Sequence, residues 1–517
     1  MRAVRPVTEP EEEWDDVVVG AGTAGAVLAA RLSEDPARRV LLIESGRDGP
    51  PRPAGVAGIP VMRGHNWSYE ADIGAGTAPS VYPYPVGRVT GGTSAVNGAL
   101  ALRGLARDFD TWAAAGNPEW AWAHVLPWYV ATESDGDFKG AGHGREGPVP
   151  IRRARPDELG ALPRAFLAAC RTVGLGELPD LNADGEAGAG PIPLNRVGTR
   201  RMSTDETHLA PARHRPNLTI RQSCDAMAVT LDRGRVTGVR TLAGGRPGSV
   251  RARRVTLAAG GIGTPVILQR SGIGDARRLA ERGIRPVVDL PGVGENLIDH
   301  PALPFLSAPG AGLCRRGDPW YHVMARASSG PVGTDADLGI FLATNVTVAD
   351  MPGVGEIVGD LCAALVSTVL LDPRSRGHVR VRSGAPDATP EIVLRLATER
   401  TDVERLLRGA RLAWSILHAP PLADAMRKVL VWTEQMVQDE RLFARLLPKW
   451  VNPLFHAAGT AAMGPDSDGA AVVDQRCRVH QTEGLLVCDA SVMPTPVSAP
   501  PALSCTMIAE RVAAWMA

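Results

Sequence analysis

The N-terminal part of the chain alternates between short apolar runs and a stretch with helical spacing. Asp16–Gly20 and Arg39–Glu44 are apolar runs typical of buried strands, and the first is rich in β-branched residues. Between them, Ala24–Leu32 repeats Ala and Leu at intervals that place them on one face of a helix. This strand–helix–strand order predicts a βαβ unit and therefore a parallel sheet.

Two further strand-like runs, Arg254–Ala259 and Leu485–Cys488, lie far along the chain. Helical spacing is clearest over Val403–Leu417 and in a terminal segment near Met507–Met516. Long segments of different character separate the strand-like runs. We therefore predict a first domain built from distant pieces of the chain, with a second domain inserted between its strands.

Neither the N-terminus nor the longest apolar stretch resembles a membrane or export signal. Residues 1–14 are interpreted as a polar tail, because they lack an apolar core and carry the acidic run Glu11–Glu13. Leu361–Leu371 spans 11 residues, whereas a membrane helix needs about 20, so we expect it to be a core strand or helix. These features predict no membrane span and a cytoplasmic protein.

Composition narrows the class of protein further. The chain has 517 residues, of which 44% are hydrophobic and 22% charged, close to soluble globular averages. Its 56 basic and 56 acidic side chains balance, which argues against a partner such as nucleic acid or an anionic membrane. The seven cysteines are widely spaced and form no C-x-x-C motif, which argues against a disulfide framework and against a zinc site and fits a reducing cytoplasm. No metal is expected.

A glycine-rich turn follows the first predicted strand. Gly20, Gly22 and Gly25 fit the pattern G-x-G-x-x-G, and Glu44 stands at the end of the next predicted strand. In this context Gly20 allows a tight turn, Gly22 lets backbone approach a pyrophosphate, and Gly25 lets the helix pack on the strand. The helix N-terminus favours the anion, and Glu44 can accept hydrogen bonds from a ribose. The motif predicts a dinucleotide site but does not choose between NAD and FAD.

The next segment points to one family. Pro85–Gly98, which contains Gly91-Gly92-Thr-Ser and Asn97-Gly98, resembles the flavin-contacting segment of the glucose–methanol–choline (GMC) oxidoreductases. Further segments resemble the same family in the same order, namely Arg103–Trp112, Asn117–Trp120, Ser271–Gly274, Leu290–His300, Asp372–Val379, His456–Gly464, Val472–Asp474 and Asp489–Pro494. Because these matches run from residue 16 to about residue 512, chance is a poor explanation.

The resemblance implies an α/β fold, α+β overall, with GMC architecture. A Rossmann-like FAD-binding domain would comprise residues 15–150, 211–303 and 455–517. A substrate domain of sheet and helices would comprise residues 151–210 and 304–454.

The resemblance also implies which residues hold the cofactor, FAD. Gly22, Thr23 and Glu44 would hold its ADP part, Trp67 would flank it, and Ala226 would meet the adenine. The residues expected near the isoalloxazine ring, the pyrophosphate and the ribityl chain are Gly91, Gly92, Asn97, Gly98, Asp489 and Ala490. Some family members attach FAD through a His at the position of Val96, so non-covalent FAD is expected here.

Family chemistry implies oxidation of a small alcohol or hydroxylated metabolite by hydride transfer to flavin N5. His456 matches the family's base and would accept the hydroxyl proton, since an imidazole is largely neutral at pH 7. The electrons would pass to O2 or another acceptor. The sequence does not distinguish an oxidase from a dehydrogenase.

The family's second catalytic residue, a His or Asn, falls at Pro500 in this chain. Proline offers no side-chain hydrogen bond and no base. We expect another residue to take over this role, and the candidates are Ser498, Ser504, His208 and Lys449. The alternatives are a reaction that needs one base, a lyase or decarboxylase that reuses the flavin scaffold without net oxidation, and a nucleotide-binding protein without catalysis.

The remaining candidate side chains have plainer interpretations. His300 follows Asp299 in a loop motif and is interpreted as structural, and His143 is interpreted as shaping a turn. Trp320 and Tyr321 form an aromatic pair in the region where the family places its substrate lid, although ordinary packing explains the pair equally well.

Overall fold

Two seven-stranded sheets organise the described part of the chain, and each collects strands from distant parts of the sequence. The computed structural model describes residues 13–48, 65–74, 80–183, 185, 187–330, 336–348, 359 and 361–517. Of the polar tail predicted for residues 1–14, residues 1–12 lie outside this range. Glu13 and Trp14 are not part of a tail, because they begin the first strand, Glu13–Val19, and Trp14 packs against the core.

The first sheet contains the predicted βαβ unit. Val40–Ile43 runs parallel to Glu13–Val19, and the helix Gly25–Leu32 connects them. The helix is buried along most of its length, because it packs between these strands and the terminal helix Ala502–Met516. In spatial order the strands are Leu218–Arg221, Val40–Ile43, Glu13–Val19, Arg246–Leu257, Arg235–Ala243 and Cys224–Asp232, with Leu485–Val487 parallel to the end of Arg246–Leu257.

The second sheet is antiparallel. The apolar stretch Leu361–Leu371 forms its central strand Cys362–Leu370, and the predicted helix near Val403–Leu417 is Arg400–His418, which packs on that strand. In spatial order the strands are Met426–Val429, Pro301–Pro309, Cys362–Leu370, Leu338–Thr347, Tyr321–Ala327 and Gly188–Pro191, and Asn452–Pro453 also pairs with Pro301–Pro309.

The strands of the second sheet interrupt those of the first along the chain, which is the inserted arrangement expected. Pro301–Pro309 straddles the predicted boundary between residues 303 and 304. The boundaries themselves therefore stay a prediction.

Smaller elements cover the two sheets. The other α-helices of the described residues are Ala106–Ala114, Trp122–Thr132, Ala161–Thr172, Ala210–Ala212, Gly260–Arg270, Ala276–Glu281, Leu422–Ala425, Glu434–Gln438 and Glu440–Trp450. The other strands are Tyr69–Asp72, Val81–Tyr84, Glu133–Asp135, Val149–Ile151, Arg196–Val197, Arg200–Arg201, Ile273–Gly274, Val288–Asp289, His378–Arg380 and Glu391–Val393. Within the described ranges, no helix combines the length and apolar character that crossing a bilayer requires.

His143 sits in a buried ionic cluster. Its Nδ1 lies 3.1 Å from Glu133 Oε1 and its Nε2 lies 2.8 Å from Asp180 Oδ2. Hydrogen bonds to Asp135 and these two carboxylates raise the pKa of His143 to about 11, so both ring nitrogens carry protons. The contacts support the interpretation that His143 shapes this turn.

Candidate active site

A cavity of about 600 Å³ lies where the two sheets face each other. On one side it is bounded by residues at the carboxyl ends of the parallel strands, including Val19, Glu44 and Ala258. On the other side it is bounded by one face of the second sheet. In open α/β sheets, ligands bind outside the carboxyl ends of the strands, so this cavity is where a dinucleotide is expected.

Two glycine turns meet at the floor of the cavity. A Cβ on Gly92 would lie 2.6 Å from Gly22 Cα, and Gly92 has a φ of +51°. A Cβ on Gly22 itself would meet nothing closer than 3.9 Å, because that side of Gly22 is directed at open space. Bare backbone therefore forms the wall beside the N-terminus of the helix Gly25–Leu32, where free N–H groups favour an anion.

Most of the residues expected around FAD do line this cavity. They are Gly20, Gly22, Thr23, Glu44, Trp67, Gly92, Asn97, Gly98, Ala226, Asp489 and Ala490. Gly25 is not in the lining, and a Cβ there would lie 1.8 Å from Gly20 O, as its expected packing role requires. Gly91 is not in the lining either. Its N–H donates to Ala21 O at 2.7 Å and so ties the two glycine turns together, and its place near the ring stays a prediction.

Glu44 is held rigidly at the edge of the cavity. Its carboxylate accepts the N–H of Ala21 at 2.8 Å and the N–H of Gly46 at 2.7 Å. Burial raises the pKa of Glu44, although these two N–H groups oppose that shift. A carboxylate has about four lone-pair sites, so acceptor capacity is left for the hydroxyl groups of a ribose.

Asp489 organises the opposite side. It accepts the N–H of Gly260 at 2.8 Å and the hydroxyl of Thr264 at 2.6 Å, at the start of the helix Gly260–Arg270. It also accepts the N–H of Ser491 at 2.8 Å. Asp489 thus ties the loop after the strand Leu485–Val487 to that helix and places Ala490 in the cavity wall.

Two side chains that flank the cavity are held by neighbours. Asn97 Oδ1 accepts the N–H of Ala99 at 2.9 Å and a guanidinium N–H of Arg201 at 3.1 Å, so the group that Asn97 can offer a ligand is its NH2 donor. The guanidinium of Arg88 lies 4.4 Å from the centre of the Trp67 ring, and this contact orients the indole.

His456 also lines the cavity, and the backbone around it is held in a defined conformation. The preceding residue, Phe455, has a φ of +62°, which is uncommon for an aromatic residue. The N–H groups of His456 and Leu454 both donate to Asp299 Oδ1, at 3.1 and 3.2 Å. Tyr84 donates its hydroxyl to the other oxygen of Asp299 at 2.6 Å, and burial raises the pKa of Asp299 to about 6.

The sequence interpretation missed the role of His300. Its Nδ1 lies 2.8 Å from Nδ1 of His456, and the two rings meet edge to face. The only sequence signal is the Asp-His pair in the segment Leu290–His300. The spacing along the chain could not reveal the contact, because 156 residues separate the two histidines.

Pro500 also lines the cavity, as His456 does. None of the four substitutes considered lines the described cavity. Ser498 binds Asp108 at 2.7 Å, Ser504 binds Tyr129 at 2.5 Å and His208 binds Glu510 at 3.0 Å, while Lys449 is exposed. The expectation that one of them replaces the family's second residue is therefore wrong.

Comparison with known proteins identifies the family. Family models described as GMC oxidoreductase match residues 14–302 and 373–509. The chain belongs to the GMC oxidoreductase family. It is 34% identical to 5-(hydroxymethyl)furfural oxidase of Methylovorus sp., over 97% of this chain and 98% of that protein. It is 32% identical to oxygen-dependent choline dehydrogenase of Escherichia coli, over 97% and 95% of the two chains.

A solved structure of a related enzyme supports the same family fold. The GMC fold of this chain matches that of pyridoxine 4-oxidase from Mesorbium loti with a TM-score of 0.90 and 30% identity, over 97% of this chain and 99% of that one. The expected α/β fold is thereby confirmed. The chain is an oxidoreductase of a family whose related oxidases and dehydrogenases act on alcohol groups.

GMC oxidoreductases are FAD-dependent, and the residues present fit that cofactor. Gly22 and Gly92 have no side chains, and the space beside their backbone, the cofactor cradle, would be narrowed or distorted by a Cβ. Glu44 offers acceptors, Asn97 offers a donor, and a helix N-terminus faces the same space. The carboxylate of Glu44 suits the ribose hydroxyls, the NH2 group of Asn97 suits a hydrogen-bond acceptor of the flavin, and the helix N-terminus suits the pyrophosphate.

Gly92→Ala tests this cradle. The new Cβ would meet Gly22 Cα and would be strained at the positive φ of this position, so we expect loss of FAD and a lower Tm. FAD content is measured by absorbance of the purified protein against total protein. The matched control is Gly469→Ala, since a Cβ there meets nothing within 4 Å. Full FAD content in Gly92→Ala would contradict the placement of the cofactor.

Proposed function

We propose that this chain oxidises a small uncharged alcohol whose CH2OH group is carried on an aromatic ring, with His456 as the base. The observation that carries the proposal is the chemistry of the cavity wall opposite the glycine turns. That wall is one face of the second sheet, and its side chains are apolar or aromatic, with few polar groups.

The wall follows from strand register. Phe341 and Pro304 flank Ser367 on neighbouring strands, and alternate residues of each strand point to the same face. The opposite face packs against the helix Arg400–His418 and its neighbours. The lining residues from this sheet are Ala302, Pro304, Tyr321, Phe341, Ala343, Val346, Leu365, Ser367, Val369, Asn452 and Pro453.

Aromatic rings border this wall. Tyr321 and Phe341 meet edge to face, with ring centres 6.5 Å apart, and Trp320 also lines the cavity. Burial raises the pKa of Tyr321 to about 12, so its hydroxyl stays neutral. Aromatic and aliphatic surfaces favour a flat apolar ring. The hydroxyl of Ser367 and the amide of Asn452 provide places for a polar substituent.

The position of the charged side chains that line the cavity favours an uncharged substrate over a cationic one. Among the described lining residues, the five charged side chains are Glu44, Asp225, Arg270, Asp387 and Asp489, and none comes from the second sheet. Aromatic faces also attract a quaternary ammonium such as choline, and a neighbouring carboxylate would add Coulomb attraction; the described lining of the second sheet supplies rings but no carboxylate. The names of two relatives, 5-(hydroxymethyl)furfural oxidase and pyridoxine 4-oxidase, specify neutral or weakly basic rings that carry hydroxymethyl groups, and this also supports the proposal.

The mechanism uses a neutral histidine. When bound, FAD supplies the hydride acceptor, and the electrons then pass to O2 or another acceptor. Burial holds the pKa of His456 well below its ordinary value, so the ring is neutral at pH 7 and can accept the hydroxyl proton. Its Nδ1 contacts His300, which leaves Nε2 for the substrate. The apolar wall excludes water while the proton moves.

Anaerobic mixing of the holoenzyme with 5-(hydroxymethyl)furfural, pyridoxine and choline tests the proposal. We expect the two ring alcohols to bleach the flavin and choline to leave it oxidised, because the wall offers a ring surface and no carboxylate. His456→Ala should slow bleaching by about 10²- to 10⁴-fold, the usual contribution of a general base. His124→Ala, at an exposed histidine, is the matched control.

Three results would contradict the proposal. They are bleaching by choline alone, no bleaching by any alcohol, and an unchanged rate in His456→Ala. Turnover in which the flavin stays oxidised and no acceptor is consumed would instead support the lyase or decarboxylase that Pro500 suggests.

We also propose that FAD is bound non-covalently. Val96 occupies the position of the His that carries FAD in some family members, and it is 4% exposed in a small apolar cluster with Val89 and Ala95. A valine side chain has no atom that can form such a bond. Acid precipitation of the holoenzyme should leave the yellow flavin in the supernatant. Flavin that stays with the protein pellet would overturn this proposal.

A further inference from the structure

His300 stands directly behind His456, on the side away from the cavity lining. It is 3% exposed, and its ring is perpendicular to that of His456 to within a few degrees, with an interplanar angle of 83°. The two Nδ1 atoms lie 2.8 Å apart, which is hydrogen-bond distance. One of them must donate and the other must accept, because two N–H groups or two lone pairs would repel.

The far side of His300 decides which nitrogen donates. Its Nε2 lies 3.1 Å from the carbonyl oxygens of both Leu371 and Val497. A carbonyl oxygen only accepts, so Nε2 of His300 carries the proton that both share. In a neutral imidazole the other nitrogen is then bare. Nδ1 of His300 is therefore the acceptor, and Nδ1 of His456 is the donor.

His300 is neutral for reasons independent of this contact. Burial, together with the charge of Arg376, lowers the pKa of His300 to about 4. The two carbonyls that bind Nε2 oppose this shift but do not overcome it. The assignment of protons above therefore holds at neutral pH.

We propose that His300 is a positioning residue that holds His456 in the tautomer with the proton on Nδ1, so that the bare Nε2 is the base. This inference deepens the proposed function and rests on it. In the reaction the O–H bond of the alcohol breaks and an N–H bond forms at Nε2. Nδ1 of His456 keeps its proton throughout and continues to donate it to His300, which stabilises the imidazolium.

The proposal also explains how His456 can be oriented although Pro500 offers it no hydrogen bond. Where the family's second residue is a His or Asn, a side chain in the cavity can help to orient the base. Pro500 has no such group, so the orientation of His456 must come from the protein side. Asp299 fixes the backbone of His456, and His300 fixes the ring.

The direct test is ¹⁵N NMR of the wild-type holoenzyme with labelled histidine. We expect the His456 signals to show a protonated Nδ1 and a bare Nε2, with assignment by comparison with His456→Ala. A protonated Nε2 with a bare Nδ1 would overturn the proposal. This measurement needs neither substrate nor turnover, so it is independent of the identity of the alcohol.

Two variants test the consequence. In His300→Asn the amide oxygen can still accept the Nδ1 proton of His456, whereas the similarly sized apolar side chain in His300→Leu cannot. We expect His300→Leu to lower the rate of anaerobic flavin reduction by about 10²-fold or more with little change in KM, and to mix the tautomers of His456. We expect His300→Asn to recover most of that rate.

Control variants separate the possible failures. His480→Leu removes a partly buried histidine that binds Gly464 O, and it should leave the rate unchanged. If His456→Ala is slow while His300→Leu is as fast as wild type, the inference is wrong and the proposed function stands. If His456→Ala is also fast, the proposed function fails. If His300→Leu does not fold, the NMR spectrum of the wild-type protein and the rate of His300→Asn still test whether His300 sets the tautomer of His456.

Discussion

The close approach of two glycine turns is the constraint on which the rest of the structure depends. Gly22 and Gly92 bring the first strand–helix turn and the segment after Gly91 together without side chains, so a nucleotide can lie on bare backbone. The carboxylates of Glu44 and Asp489 then hold the surrounding loops through backbone N–H groups. The apolar face of the second sheet then forms the other wall of the cavity.

In the proposed mechanism, residues of the protein interior hold the base, His456, in place. Pro500 and His456 both line the cavity, while Asp299 and His300 contact His456 from the protein interior. Both are buried, which keeps His300 neutral. In the proposed mechanism, one base of defined orientation acts beside the apolar wall of the second sheet, where few polar groups compete for the substrate hydroxyl.

The sequence predicted the fold and many of the residues that line the cavity, because these depend on local pattern. The run Asp16–Gly20, the glycine spacing and Glu44 carry their structural meaning within one βαβ unit. The substrate wall could not be predicted, since it arises from the register of strands such as Pro301–Pro309 and Cys362–Leu370. The contact between His300 and His456 was missed for the same reason, and the proposed substitutes for Pro500 were wrong because sequence does not show which side chains reach the cavity.

The central claim is that His456 accepts the hydroxyl proton. Chemical rescue tests it most directly: the rate of anaerobic flavin reduction by 5-(hydroxymethyl)furfural is measured in His456→Ala with increasing imidazole. Imidazole can occupy the space left by the side chain and contact Nδ1 of His300. The account predicts a slow rate that rises with the concentration of neutral imidazole and saturates. A rate that is independent of imidazole would contradict it.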